Sequence, residues 1–336
     1  MKIKDFLTTN KWPLIINLCV IAIAILVACI VYIILNPPLD YDYEYRSELG
    51  GAILTKYTGK DLDVEIPSII EGHPVVGIKG QSGNGIVNNQ VRTVTIPDGV
   101  TTIGDFAFYG GESLTSITIP DSVAAIGSSA FCCCRSLISI VIPDNVPRIG
   151  VAAFDGCRSL TTITMPKNLT SIGCGAFGDC SSLLSIDIPE NVGILDDDAF
   201  VGCSSLESVT IPDSVTRVGK SAFSRCSSLK SITLSKSITS VENHVFYKCS
   251  SLETISIPEG VMFIEDESFS YCSSLTSVTI PDGVTGIGYG AFRDCSFLAV
   301  SIPDSVIGIG GSAFAGCSQL SEQTIQRIRQ INPMAL

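Results

Sequence analysis

The chain has 336 residues and a formal charge of −12, with 33 acidic against 21 basic side chains. Lys and Arg are sparse and unclustered, which argues against a nucleic-acid partner, since neutralising phosphates needs basic clusters. Hydrophobic residues reach 46% while charged ones stop at 16%, the balance of a chain with many repeated core positions and an exterior built from Ser and Thr.

The first element is an apolar run at 13–35, uncharged and with only Asn17 strongly polar, long enough to cross a bilayer as a helix. Lys2, Lys4 and Lys11 precede it and Asp40, Asp42, Glu44 and Glu48 follow it. The positive-inside rule therefore puts the tail 1–12 in the cytoplasm and everything after the run outside. Trp12 and Tyr32 stand near its two ends, where amphipathic rings favour the headgroup region. Three fates remain open. An uncleaved signal anchor is favoured because the run overshoots a signal-peptide core of about 7–15 residues. A lipoprotein is the second, because Leu26-Val27-Ala28-Cys29 resembles a bacterial lipobox and would make Cys29 the acylated residue, although Ile30 to Leu35 continue the apolar run. Ordinary cleavage is the third. The stretch 36–50, with Pro37-Pro38 and the acidic aromatic LDYDYEY, reads as a short stalk.

A cap and leading repeats are expected over 51–95, then a regular array over 96–320. Its period is set by Phe108, Phe131, Phe154, Phe177, Phe200, Phe223, Phe246, Phe269 and Phe292, each 23 residues after the last, and by Phe314 after a copy one residue shorter. Fixed periods of this size signal a solenoid. Six, nine and eleven residues after the Phe of the copies from Phe108 to Phe269 come Leu, Ile or Val, and Ile, Met165 or Leu234, as in Leu114, Ile117 and Ile119, a Leu-x-x-Ile-x-Ile spacing whose last pair alternates into a core as a strand does. Pro follows, as at Pro97, Pro120 and Pro143, and ends the strand because it has no N–H for the ladder. A Pro-Asp-Gly or Pro-Asp-Ser turn leads to a second apolar pair such as Val123 and Ile126, then to a returning Gly-x-x-Ala-Phe segment. The expected fold is an α/β-type leucine-rich-repeat solenoid, a parallel strand ladder with short turns or helical segments, preceded by one transmembrane helix. At the spacing of neighbouring strands the array would be about 50 Å long.

The phrase CSSLTSVTIPDGVTGIGYGAF at 272–292 and its sister copies resemble the BspA-like leucine-rich repeats of bacterial and protist surface proteins, and AILTKYTGKDLDVEIPSIIEGHPVVGI at 52–78 resembles that family's leading segment. The resemblance implies display at a cell surface and adhesion to proteins or host cells, and it implies no catalytic residues, cofactor or metal.

Of fourteen cysteines, nine share one repeat position: Cys134, Cys157, Cys180, Cys203, Cys226, Cys249, Cys272, Cys295 and Cys317. A ladder of free thiols is expected, because a thiol packs as a small hydrophobe with a weak donor for nearby carbonyls. Rungs about 5 Å apart lie within disulfide reach, but parallel Cβ vectors suit the bridge dihedral poorly. Cys132, Cys133 and Cys174 fall off this ladder, and three consecutive cysteines rarely converge on one metal ion.

The exposed strand face is the candidate partner surface. It should present Ser116 and Thr118, Ser139 and Val141, Thr162 and Thr164, Ser185 and Asp187, Ser208 and Thr210, Ser231 and Thr233, Thr254 and Ser256, and Ser277 and Thr279. Such a row has two readings. Ser and Thr simply suit an exposed parallel sheet, Thr by its β propensity, or they form a hydrogen-bonding platform for a protein or glycan. The face lacks Trp, Tyr and Arg anchors, so weak or multivalent binding is expected. The acidic row after each Pro, Asp98, Asp121, Asp144, Glu190, Asp213, Glu259, Asp282 and Asp304, fits turn chemistry in which Asp bonds its own backbone two residues on; DDD at 196–198 is the densest acidic spot, without calcium-loop spacing.

Irregularities also bear on function. The copy at 234–249 replaces Ile-Pro-Asp by Leu234-Ser235-Lys236 and carries His244, so the array could bend there. At 321–336 the pattern breaks into a capping helix and tail, with Ser321 as N-cap and Leu320, Ile325 and Ile328 toward the last coil. His73 and His244 are the only histidines, lie on different coils and have no nucleophile or metal signature nearby. An enzyme is therefore disfavoured, and the reading is a membrane-held extracellular recognition or adhesion protein, with a structural spacer as the alternative. The Asn168-Leu169-Thr170 sequon matters only in a eukaryotic secretory pathway.

Overall fold

Two ladders of parallel strands run along the array. The first contains the Ser/Thr strands: Asp63–Glu65, Thr93–Thr95 and Ser116–Thr118 pair in order, then Ser139–Val141 with Thr162–Thr164, then Ser208–Thr210, Ser231–Thr233, Thr254–Ser256 and Ser277–Thr279. The second is built from two-residue strands, one per coil, that begin at Thr102–Ile103 and Ala125–Ile126 and reach Arg217–Val218; it resumes from Ser240–Val241 to Gly308–Ile309. The computed structural model describes residues 20–23, 25–27 and 40–336. It shows a parallel β-solenoid of about eleven turns.

The expectation of helical segments within the repeats is corrected. Between the second ladder and the cysteine the backbone forms successive turns with no α-helix. Alternate N–H groups explain it. Ala107 N–H donates within its own turn to Gly104 O, and Tyr109 N–H to Phe106 O, while Phe108 N–H donates to Ala130 O of the next coil at 2.7 Å. The same alternation recurs at Phe131, Phe154, Phe177 and Phe200. A helix would need these donors for carbonyls four residues back; here half of them bond along the stack instead. The alternation needs left-handed backbone on both sides of each Phe, for example Phe106 and Gly110, Ser129 and Cys133, Asp198 and Gly202, or His244 and Lys248.

Inside, the ten repeat phenylalanines are 0–1% exposed and their rings stack in one column. Centroid spacings are 5.1–5.4 Å at every step but one. The Leu and Ile columns and Val of the second pair fill the rest. The exception is Phe223–Phe246, at 6.1 Å, in the irregular copy. Val245 stands there where the other coils have Ala or, once, Ser268, and its extra volume lies beside Phe246. The strands also part: Ser231–Thr233 and Thr254–Ser256 keep one paired position, Ser231 with Thr254, where regular neighbours keep three. The second ladder is interrupted between the same two coils. In place of Pro, Ser235 is fully buried, its hydroxyl donating to Val215 O at 2.6 Å and accepting from Ser237 N.

The stretch expected as a stalk contains a structured cap. Tyr41–Arg46 is a strand antiparallel to Gly51–Tyr57. Its alternation of Tyr with acidic residues is a period-two strand pattern, and it puts Tyr41 and Tyr43 against the core. Tyr41 packs against Tyr57 with centroids 5.2 Å apart and planes tilted by 47°, and its hydroxyl donates to Glu65 O. Gly51–Tyr57 then pairs in parallel with His73–Ile78, which starts the second ladder. At the other end Ser321 caps the helix Glu322–Ile331 by accepting from Thr324 N at 3.1 Å. Thr324 and Ile328 are its buried residues, with Leu320 and Ile331 packed alongside; Ile325 is only half-buried. Beyond it, Met334 and Ala335 offer their carbonyls to Ser312 N and Phe314 N, the acceptors that a following coil supplies elsewhere.

Tyr41–Leu336 forms one compact unit. Of the expected anchor 13–35 only 20–23 and 25–27 are described, as helix; the rest of it, with Cys29, lies outside the described residues. Among the described residues no helix is long and apolar enough to cross a membrane.

Candidate recognition surface

Each strand of the first ladder has three residues, and the pleat turns the middle one inward. Ile117, Val209, Ile232, Ile255 and Val278 are buried, while Ser116 and Thr118, Ser208 and Thr210, Ser231 and Thr233, Thr254 and Ser256, and Ser277 and Thr279 are exposed. Thr162 and Thr164 are exposed about a half-buried Ile163. Ser185 and Asp187 are exposed too, but that coil forms no strand: only Ser185 bridges, to Ser208. Asp is a poor strand former, and the ladder breaks at its coil. The side chains thus stand in two parallel rows of hydroxyls.

Val141 interrupts one of these rows, and in the column beside them Ile138 on the same coil and Leu184 two coils on are also more than half exposed. Their signal in the sequence was their place in columns otherwise held by Ser, Thr and charged residues.

The ladder cysteines lie inside and carry no disulfide. Each donates its S–H to the carbonyl of the Phe column one coil back: Cys134 to Phe108 O, Cys157 to Phe131 O, Cys180 to Phe154 O, Cys203 to Phe177 O and Cys226 to Phe200 O, at 3.1–3.3 Å. Cys249, Cys272, Cys295 and Cys317 repeat the bond to Phe223, Phe246, Phe269 and Phe292 at 3.1 Å. Burial pushes these thiols up, to about 12 at Cys134 and Cys317 and well above the ordinary value at the coils between. Cys132 lies 3.7 Å from Cys133, sulfur to sulfur, and 3.8 Å from Asp155.

Two members of the acidic row bond to the next coil and not to their own turn. Asp144 Oδ1 accepts from Lys167 N and Asp213 Oδ1 from Lys236 N, each on the following coil, which holds both carboxyls below their usual range. One residue further, Ser122, Asn145, Asn168, Asn191, Ser214 and Ser237 donate side-chain bonds to the preceding coil. The sequon amide of Asn168 is thus engaged with Asp144 O. At 196–198, Arg217 bridges Asp196 and Asp197 at 3.0 and 2.6 Å. No three His, Cys, Asp or Glu among the described residues are grouped to hold a metal ion. His73 packs against Tyr45 with centroids 4.3 Å apart and planes tilted by 38°, and His244 lies 3.5 Å from Glu267, so the structure does not bring the two histidines together.

With that geometry in hand, the profile of the BspA type leucine rich repeat region matches residues 87–207 and 193–321. The chain belongs to this family. No curated protein matches it. Among solved structures, a leucine-rich repeat protein from Bacteroides ovatus is 26% identical, with a TM-score of 0.50 over 89% of this chain and 97% of that one. The pneumococcal vaccine antigen PcpA is 19% identical, with a TM-score of 0.52 over 84% of this chain and 78% of its own, a likeness of fold alone.

Proposed function

We propose that this BspA-type protein is a non-catalytic recognition scaffold, held at the outer side of a cell membrane by the segment 13–35 and binding a protein or glycan through its exposed strand face. The observation that carries this reading is the pair of hydroxyl rows: the same two positions stay exposed on coil after coil while the residue between them is buried. Hydroxyls a rung apart offer donors and acceptors in register, suited to an extended partner and to many weak contacts. The uncharged run with lysines before it and carboxylates after it supports the orientation. Acylation at Cys29 or cleavage after export would alter the attachment and leave the repeats outside in either case.

The test uses the compact unit, residues 41–336, immobilised and exposed to extracellular-matrix proteins and neutral glycans at micromolar concentration. Saturable retention of at least one supports the reading. Retention of none would leave a spacer, a rod that separates other surface molecules, as the better account.

A further inference from the structure

Aromatic anchors absent from the strand face are concentrated on another edge. One and two residues past the Phe column, the coils from Phe223 to Phe292 carry Arg225, Tyr247, Lys248, Tyr271 and Arg293. Backbone bonds fix them on successive rungs: Arg225 N–H donates to Tyr247 O, Lys248 N–H to Ser270 O and Tyr271 N–H to Arg293 O, at 2.7–2.9 Å. Tyr247 and Tyr271 meet edge to face at 5.6 Å, with Lys248 Nζ 5.1 and 5.6 Å from their centroids. Arg293 lies over Tyr289 at 5.4 Å. Tyr271 and Tyr289 are 39% and 45% exposed.

Three further observations set this edge apart. Arg225, Lys248 and Tyr271 have φ of 63°, 61° and 63°, in a column where Gly110, Gly156, Gly202 and Gly316, and the smaller Cys133, Asp179 and Asp294, take the same left-handed backbone. Side chains there cost about 1–2 kcal/mol each, and bulky ones on three consecutive coils are the kind of retained strain that marks functional positions. Second, the cations lack acidic partners. Arg135, Lys167, Lys230 and Lys236 each pair with a carboxylate one coil back, whereas Arg225, Lys248 and Arg293, like Arg92, Arg148 and Arg158, form no ion pair among the described residues, and Arg293 Nη2 donates to the Tyr289 hydroxyl at 3.1 Å. The nearby carboxylates are turned to other groups: Glu267 to His244, and Asp294 over Gly316 of the next coil. Third, Ser270 is fully buried between the Tyr247 and Arg293 rungs, its hydroxyl without a partner.

The geometry points to a binding site for an anionic glycan, laid along this edge with one sugar ring per rung. Tyr ring surfaces and edges receive the C–H faces of pyranoses, and Arg225, Lys248 and Arg293 bind the carboxylate or sulfate groups. A pyranose unit in an extended chain is about as long as one rung. An acidic peptide would satisfy the cations but would leave the aromatic spacing without a purpose. None of these residues belongs to the hydroxyl rows, so failure here leaves the strand-face reading standing.

The full chain is titrated with a heparin oligosaccharide, which carries sulfate, with an oligogalacturonate, which carries only carboxylate, and with an oligoglutamate. Saturable binding of one or both glycans is expected, and the one bound identifies the anion. Lys248→Asn and Tyr271→Asn should each weaken that binding about tenfold; Asn tolerates left-handed backbone, so the coil is kept, and unchanged thermal melting verifies it. Arg148→Gln, at an exposed cation of the second ladder, should leave binding unchanged. The site is overturned if neither glycan binds, if Tyr271→Asn binds as the parent does, or if oligoglutamate binds as tightly as the glycans.

Discussion

At the residue scale, a side chain's column decides its energetic weight. Phe200 is fully buried between the rings of Phe177 and Phe223, at 5.4 and 5.3 Å, and neighbouring coils fix its walls. Phe200→Ala should cost about 3–5 kcal/mol through the cavity it opens. Thr210, ten residues on, is exposed, and Thr210→Ala should stay within about 0.5 kcal/mol. Denaturant melts of the two variants check the pair, and equal small effects would contradict the packing described here. These columns were legible in the sequence because each carries one residue type with one physical need. The left-handed positions were not: Arg225, Asp198 and Tyr271 occupy them beside Gly110 and Gly202, so no composition marks them. The tyrosine edge escaped notice for the same reason, since its members become neighbours only once those turns are placed on successive rungs.

At the element scale, the thiol ladder acts as one titrating unit. An unfolded thiol loses its proton near pH 8.5. The ladder thiols are raised above that value by burial, to about 12 at Cys134 and Cys317. A raised acid keeps its full contribution below the unfolded value and loses it as the pH climbs toward the folded one. Each thiol should therefore remove about 1.4 kcal/mol of stability per pH unit above about pH 8.5. Melts at pH 7, 8, 9 and 10 should be flat at first and then fall steeply, and Cys203→Ala together with Cys226→Ala should soften the fall. A flat profile to pH 10 would mean that the thiols are not buried as described. The terminal elements carry a smaller test. Ser321→Ala removes the acceptor for Thr324 N and should cost the capping helix about 1 kcal/mol, read as faster amide exchange at Phe314, whose N–H depends on Ala335 O. Elements of two residues, such as Ala125–Ile126, are too short for a periodic signal and were read only as an apolar pair. The strand Tyr41–Arg46 resembles a stalk in sequence because its acidic face and the preceding prolines favour extended solvated chain; its alternating tyrosines are the signal that outweighs them.

At the scale of the whole molecule, stability is close to a sum over coil interfaces. The coil-to-coil ion pairs, such as Glu112–Arg135 at 2.9 Å and Glu207–Lys230 at 3.0 Å, are exposed and add little to it; aromatic stacking, aliphatic packing and the backbone ladders do most of the stabilising. One interface is weaker. Between the coils of Phe223 and Phe246 the ring spacing widens and both strand ladders thin or break, which makes this the preferred place for the array to bend, and the tyrosine edge spans it. The altered copy was visible in the sequence through Ser235 and Lys236, but the widened ring step traces to Val245, an apolar-for-apolar change that pattern reading passes over. The repeats belong to the BspA-type family by direct match, while the apolar run 13–35 is characterised by its sequence alone.

The most direct test of a recognition scaffold removes hydroxyls and nothing else. Ser208, Ser231 and Ser256 become Ala, and Thr210, Thr233 and Thr254 become Val, shapes that an exposed strand accepts without loss of β propensity. Retention of matrix proteins and neutral glycans is then measured for parent and variant at matched stability. The account predicts saturable retention by the parent and at least a tenfold loss in the variant. Equal retention by both would show that the hydroxyl rows recognise nothing.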